Sequence, residues 1–265
     1  MFGIVTVSAV TLSLSALFHA IVTIFKPSAS SKAVKRARRV LILSAHPDDE
    51  CMFFGPSIRS FILGGCEVHL LCLSSGDYDR LGHLRKQELY KSCEIIGIRK
   101  CNVTLIQHSK LEDDPSMTWQ EDIVGHIALK YIKQLSIDTV ITFDGGGVSG
   151  HPNHISCNKG MVYIVKNELL PSNCTVLTLV SVNKFRKYCG MLDIPYSYFS
   201  NEHTLISNYD SIFTCQKAMK AHWSQLVWFR WLYIMFSSYM IVNTLQNLEV
   251  KSDDTYDDSL LYKLQ

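Results

Sequence analysis

The stretch Val40-Leu41-Ile42-Leu43-Ser44-Ala45-His46-Pro47-Asp48-Asp49-Glu50 decides how the rest of the chain is read. Its first six residues form a short apolar run with β-branched members, the pattern of a buried strand. The proline and acidic residues that follow end the run and open a helix. A histidine and two carboxylates thus fall at the C-terminal end of a strand. In open α/β sheets, that edge is where ligands bind.

Outward from this point, short apolar runs alternate with helical periods up to about residue 182. The expected strands are Val40–Ala45, Val68–Ser74, Val103–Gln107, Thr139–Phe143 and Val176–Val182, with helices over about 50–64, 83–97, 120–135 and 154–169. This alternation predicts right-handed βαβ units, hence an α/β, Rossmann-like three-layer fold around a mostly parallel sheet. No internal repeat is visible.

A second cluster follows the strand Thr139–Phe143: Asp144-Gly145-Gly146-Gly147-Val148-Ser149-Gly150-His151-Pro152-Asn153-His154. Two histidines three residues apart stand beyond another strand end. If the two strands are parallel neighbours, both clusters meet on one side of the sheet. Imidazole and carboxylate together suit a divalent ion such as zinc, and a catalytic site keeps one position open beside three protein ligands. Each motif alone has an ordinary explanation, a capped turn for the first and a helical His pair for the second. The glycines 145–147 lack the Lys-Ser/Thr ending of a phosphate-binding P-loop. The two motifs together favour the metal reading.

Ala45–Glu50 and His151–His154 resemble the paired signatures of the LmbE-like metal-dependent deacetylases, over about residues 39–240. Thr142-Phe143-Asp144, Gly147–His151 and Asn153-His154 are similar to the eukaryotic N-acetylglucosaminyl-phosphatidylinositol de-N-acetylase branch of that family. So are Arg85-Lys86-Gln87-Glu88-Leu89, Ser224-Gln225-Leu226 and Trp228-Phe229-Arg230. The resemblance implies that His46, Asp49 and His154 ligate a divalent metal, with zinc expected, and that Asp48 is the general base on the attacking water. It implies that His151 stabilises the developing oxyanion or donates a proton, and that Arg85 and Asp114 contact the sugar. An i,i+3 surface pair of Arg85 with Glu88 is the competing explanation. This chain has Asn153 where many soluble relatives carry an aspartate, and Ser116 where the family's sugar-contacting element has a glycine. The implied reaction is removal of acetate from a membrane glycolipid in the second step of GPI-anchor biosynthesis. A deacetylase of soluble N-acetylglucosamine conjugates, or a scaffold with a retained sugar site, are the alternatives.

Composition supplies the setting. Hydrophobic residues make up 47% of the 265. Six basic residues, from Lys26 to Arg39, precede position 40 with no acid among them, which leaves 20 basic against 24 acidic residues in the remainder. A nucleic-acid binder carries its positive excess on the folded body, so none is expected as a partner. Residues 1–25 lack Asp, Glu, Lys and Arg and are long enough to span a bilayer core of roughly 30 Å. The charge follows the apolar run, opposite to the order in a signal peptide. A transmembrane helix over 1–25, a basic linker over 26–38, a deacetylase domain over 39–248 and a tail over 249–265 are the expected organisation. The positive-inside rule puts the domain in the cytosol, and the implied pathway puts the anchor in the endoplasmic reticulum membrane. Nine scattered cysteines without a C-x-x-C pair read as reduced thiols. Residues 223–243 are rich in aromatics with Arg230 inside; an interfacial segment is expected over a second span, because a central Arg costs about 2.5–3.5 kcal/mol there.

Overall fold

A computed structural model describes residues 16, 19–20, 23–25, 32–200, 203–248 and 250. The five expected strands are present as β1 (Arg39–Ser44), β2 (Glu67–Cys72), β3 (Val103–Leu105), β4 (Thr139–Phe143) and β5 (Thr175–Leu179). Neighbours among these five run parallel. Two further strands, β6 (His203–Ile206) and β7 (Val242–Asn247), extend the sheet beyond the sequence expectation. The order is β3-β2-β1-β4-β5-β7-β6, with β7 antiparallel to both of its neighbours.

The main helices between the first five strands are α1 (Asp49–Met52), α2 (Gly55–Leu63), α3 (Gly82–Ile96), α4 (Glu121–Gln134) and α5 (Pro152–Lys166). The expected single helix over 50–64 is two, because Phe53 and Phe54 turn the chain before Gly55-Pro56 starts α2. Helix α6 (Tyr209–Ala221) packs against α3 and α2, whereas α4 packs along α5, so the sheet is covered on both faces. Residue choice explains the close α4–α5 crossing: a Cβ on Gly160 would meet Val124 Cγ1 at 2.4 Å, so only glycine admits this approach. Every residue of β4 is buried, as expected for a strand covered twice.

The order β2-β1-β4-β5 places β1 beside β4, and the connections leave these two strands in opposite directions. This is the topological switch point of a doubly wound sheet, where the strand ends open a crevice. Both sequence clusters lie at these two ends.

Residues 223–243 do not form one long helix. They form a 3₁₀ turn, the nine-residue helix α7 (Trp228–Phe236), another 3₁₀ turn and the start of β7. Among the described residues no helix is long and apolar enough to cross a membrane. Most of the expected span over 1–25, and of the expected tail over 249–265, lies outside the described residues. In the expected linker, Val34 and Ala37 are buried in the core, so the folded body begins before Arg39.

Candidate metal and catalytic site

The two clusters meet. Asp49 Oδ1 lies 3.2 Å from His154 Nε2, and Asp49 Oδ2 lies 3.9 Å from His46 Nδ1. Ring nitrogens of His46, His151 and His154 all lie within 4.8 Å of one another. His46, Asp49 and His154 are nearly inaccessible, while His151 stands half-buried at the mouth. These groups form the floor of a cavity of about 360 Å³, whose wall also includes Asp48, Arg85, Asp113 and Arg230.

Each prospective ligand is held from behind. His154 Nδ1 faces the Gly147 carbonyl oxygen at 3.1 Å, which leaves the Nε2 lone pair toward the cavity. Phe143, at the end of β4, stacks on the His154 ring at a centroid distance of 4.0 Å and 3° between planes. The Gly147 carbonyl is itself fixed by a strained turn. Asp144 accepts from Gly146 N and Ser181 N, Ser181 Oγ accepts from Val148 N, and Val148 has φ 62°. His46 Nε2 lies 3.1 Å from Asp113 Oδ1, so its Nδ1 is the free position. Asp49 Oδ2 accepts from Ala45 N at 2.9 Å and His46 N at 2.8 Å. Two imidazole lone pairs and one carboxylate, all oriented by hydrogen bonds on their far sides, fit a divalent metal ion.

The electrostatics agree with that donor set. Burial pushes the Asp49 carboxyl up, but His154, His46 and the His46 backbone N–H together hold it below the ordinary carboxylate value. Burial likewise opposes charge on His46. The Asp113 hydrogen bond and the charges of Asp49, Asp113 and Asp48 outweigh it and raise His46. A proton and a divalent cation compete for the same lone pair, so a field that favours one favours the other. His151 differs: burial, then His154 and His46, bring it down to about 4, so its ring is neutral at pH 7. Its Nδ1 accepts from Asn153 N at 3.3 Å as the N-cap of α5, which assigns the proton to Nε2. His151 is thereby a hydrogen-bond donor rather than an imidazolium.

Asp48 occupies the N-cap of α1 at φ 113°, a left-handed conformation that costs about 1–3 kcal/mol for a residue other than glycine. Its carboxylate lies between two guanidiniums, with Oδ1 3.7 Å from Arg85 and Oδ2 3.5 Å from Arg230. Arg85 is not in a surface pair with Glu88. It is buried, donates to the carbonyls of Pro47 at 2.6 Å and Gly76 at 3.0 Å, and reaches Asp113 at 3.5 Å. Glu88 instead accepts from Ser224 N and Ser224 Oγ, joining the motif on α3 to the one before α7. Asp114 is outside this cavity: it is half-buried, and its Oδ1 accepts from Ser116 N and Ser116 Oγ. Its neighbour Asp113 is the acid that enters. Sequence reading also missed Lys187 and Tyr233 as cavity wall. Neither carries a local motif, because they arrive on elements that only the tertiary fold brings near.

A family model described as GlcNAc-PI de-N-acetylase matches residues 41–165. Over 211 residues the chain is 41% identical to N-acetylglucosaminyl-phosphatidylinositol de-N-acetylase of Bos taurus, covering 79% of this chain and 83% of that one. This chain belongs to the N-acetylglucosaminyl-phosphatidylinositol de-N-acetylase family. It is also 40% identical over 238 residues to a probable member from Schizosaccharomyces pombe, covering 86% of this chain and 94% of the relative. Among solved structures, the N,N'-diacetylchitobiose deacetylase of Pyrococcus horikoshii aligns with a TM-score of 0.60 at 16% identity, covering 80% of this chain and 84% of that one. That likeness concerns the fold. Within the de-N-acetylase family model fall His46, Asp48, Asp49, His151 and His154, the residues that converge here.

Proposed function

We propose that this protein hydrolyses the acetamide of N-acetylglucosaminyl-phosphatidylinositol, giving the glucosaminyl lipid and acetate, with zinc as the metal held by His46, Asp49 and His154. The observation that carries the reading is the convergence of those three donors at the cavity floor, with the Asp48 carboxylate beside them. When bound there, a divalent ion supplies Lewis acidity toward the amide carbonyl and makes a water easier to deprotonate. Asp48 takes a proton from the attacking water as it adds to the acetamide carbon. The fork of Arg85 and Arg230 holds that carboxylate in one direction. His151 Nε2–H donates to the carbonyl oxygen as negative charge develops on it. The C–N bond then breaks, the proton on Asp48 passes to the amine, and acetate is released. Arg85 and Asp113 lie on the wall where the sugar hydroxyls pass, so Asp113 takes the position expected of Asp114.

The membrane setting belongs to the same proposal. Helix α7 turns Trp228, Trp231, Leu232, Met235 and Phe236 to solvent at helical spacing, an apolar stripe suited to a lipid interface. Phe229 of the same helix lines the cavity, so the stripe adjoins its mouth. A single N-terminal span in the endoplasmic reticulum membrane, with the domain in the cytosol, holds this face against lipid. Two glycosylation sequons, Asn102-Val103-Thr104 and Asn173-Cys174-Thr175, would report a lumenal domain, but Asn102 is a poor reporter, since its side chain is buried and donates to the Val68 carbonyl. Asn173 is exposed and serves instead; a glycan found there in cells places the domain in the lumen and refutes the topology. The function itself is tested by acetate release from synthetic N-acetylglucosaminyl-phosphatidylinositol. Release that stops with a chelator and resumes with added zinc supports the proposal, and no release from metal-loaded protein overturns it.

A further inference from the structure

The cavity floor is lined by carboxylates and imidazoles, but its outer wall is cationic. Lys187 ends the short helix Lys184–Lys187 and is half-buried. Among the described residues it pairs with no carboxylate; its ammonium lies 5.9 Å from the Phe53 ring centroid and 5.5 Å from that of Tyr233. Arg230 enters the same cavity from the first turn of α7, with Nη1 on Met52 Sδ at 2.8 Å and Nη2 3.5 Å from Asp48 Oδ2. Burial, then Arg230, then Lys184 lower the basicity of Lys187. A half-buried cation facing another cation is costly unless an anion joins them.

We propose that Lys187 and Arg230 form a subsite for the phosphodiester of the substrate. The inference rests on the deacetylase reading above: with the acetamide at the floor, the next charged group outward is the phosphate on the inositol ring. The chemistry matches. An Arg fork and a Lys point charge are the two side chains that most often hold phosphate. Asp48, Asp49 and Asp113 repel an anion from the floor, so the phosphate is accepted only at the outer wall and the substrate enters sugar-first. Beyond that wall, Tyr188 and Phe229 lead to exposed apolar surface, where the acyl chains stay in lipid.

The test titrates the full chain, in detergent, with glycerophosphoinositol, a soluble inositol phosphodiester. Lys187→Met keeps an apolar stem on the two rings and removes the charge. It should weaken binding about tenfold or more, since a hydrogen bond to a charged group contributes about 1.5–3 kcal/mol. Lys187→Arg should restore most of that binding. In parallel, the ratio of KM for a phosphate-free N-acetylglucosaminyl inositol to KM for the phospholipid substrate should fall in Lys187→Met, with kcat for the lipid changed much less than KM. Absence of binding by the unmutated protein, or equal binding by Lys187→Met, overturns the subsite. Phosphodiester binding that depends on Lys187 without any acetate release from the glycolipid upholds the subsite and overturns the deacetylase reading.

Discussion

His222 Nε2 lies 2.7 Å from Glu50 Oε1, and both side chains are fully buried. Glu50 Oε1 also accepts from Ser92 Oγ, and its other oxygen accepts from Asp48 N at 3.0 Å. This contact ties the C-terminal part of the domain to the one backbone amide whose left-handed conformation sets the direction of Asp48. Glu50, Cys51 and His222 together resemble a small metal-ligand group. Here Glu50 Oε1 and His222 Nε2 are hydrogen-bonded to each other and Cys51 Sγ donates to the Asp48 carbonyl oxygen, so the three side chains hold one another and the Asp48 backbone. The pair therefore fixes the backbone from which Asp48, the base of the proposed mechanism, projects.

That pair predicts a pH dependence of stability. Burial opposes charge on His222, but Glu50, with further help from the charges of Asp48 and Glu88, raises its basicity. Burial similarly opposes charge on Glu50, and His222, Ser92 and the Asp48 N–H lower its carboxyl below the ordinary value. For a raised histidine, the stabilisation is complete below the unfolded-chain value of about 6.5 and is lost as pH rises through the folded value. The urea midpoint should therefore drop as pH rises above about 6.5, and the drop should be smaller in His222→Gln. Equal slopes for the two proteins would contradict the ion pair. Separately, His222→Ala should cost about 3–5 kcal/mol by leaving Glu50 buried and unpaired.

Asp48→Asn is expected to retain metal and lose turnover by about 10²–10⁴-fold, because an amide cannot accept the water proton. His154→Ala should lose metal affinity together with activity. Metal content and acetate release, measured on the same preparations, separate the two roles. A metal-loaded Asp48→Asn protein that works at the normal rate removes Asp48 from the mechanism.

The acid that supports His46 gives a sharper comparison. Asp113→Asn should lower metal affinity about 10–100-fold, the usual effect of losing the hydrogen bond behind a ligating imidazole. Asp114→Ala should leave metal affinity unchanged, since that side chain is occupied with Ser116 outside the cavity. The reverse pattern would restore the position that the sequence motif favoured.

How far the sequence could be read follows from where each signal resides. The ends of β1 and β4 were legible because each motif is contiguous, and because strand ends in a parallel sheet share one edge. The direction of Arg85 was not, since its partners Pro47, Gly76 and Asp113 are 9 to 38 residues away along the chain. Strand β7 was hidden by an apolar, aromatic stretch that has the composition of a membrane helix. Within it Asn243 is fully buried, accepting from Ser57 N and donating to the Phe53 carbonyl. Only the three-dimensional partners reveal that such an amide belongs to a sheet. The entry of Asp113 into the cavity was equally out of reach, because nothing in the sequence tells which of two adjacent acids at a turn reaches it.

The apolar stripe on α7 leads to the last prediction. Tyr233 and Ile234 face the core, and the Tyr233 hydroxyl donates to the Met52 carbonyl at 2.8 Å, so the helix is fixed to the domain by one side. Its other side exposes Trp228 at 76% and Met235 at 56%, and large apolar side chains gathered on one exposed face mark a surface for a partner or a membrane. A protein lacking residues 1–25 should therefore still bind vesicles containing anionic lipid, reversibly and more weakly than the whole chain, as an interfacial helix does. The cut must stay before Val34, whose side chain and that of Ala37 are part of the core. Changing Trp228 and Trp231 to Ser in that form should abolish vesicle binding in a flotation assay without altering the circular dichroism spectrum. It should also raise KM for the phospholipid substrate more than for a short-chain analogue. A truncated protein that never floats, with its tryptophans intact, would show that the stripe is covered by something other than lipid.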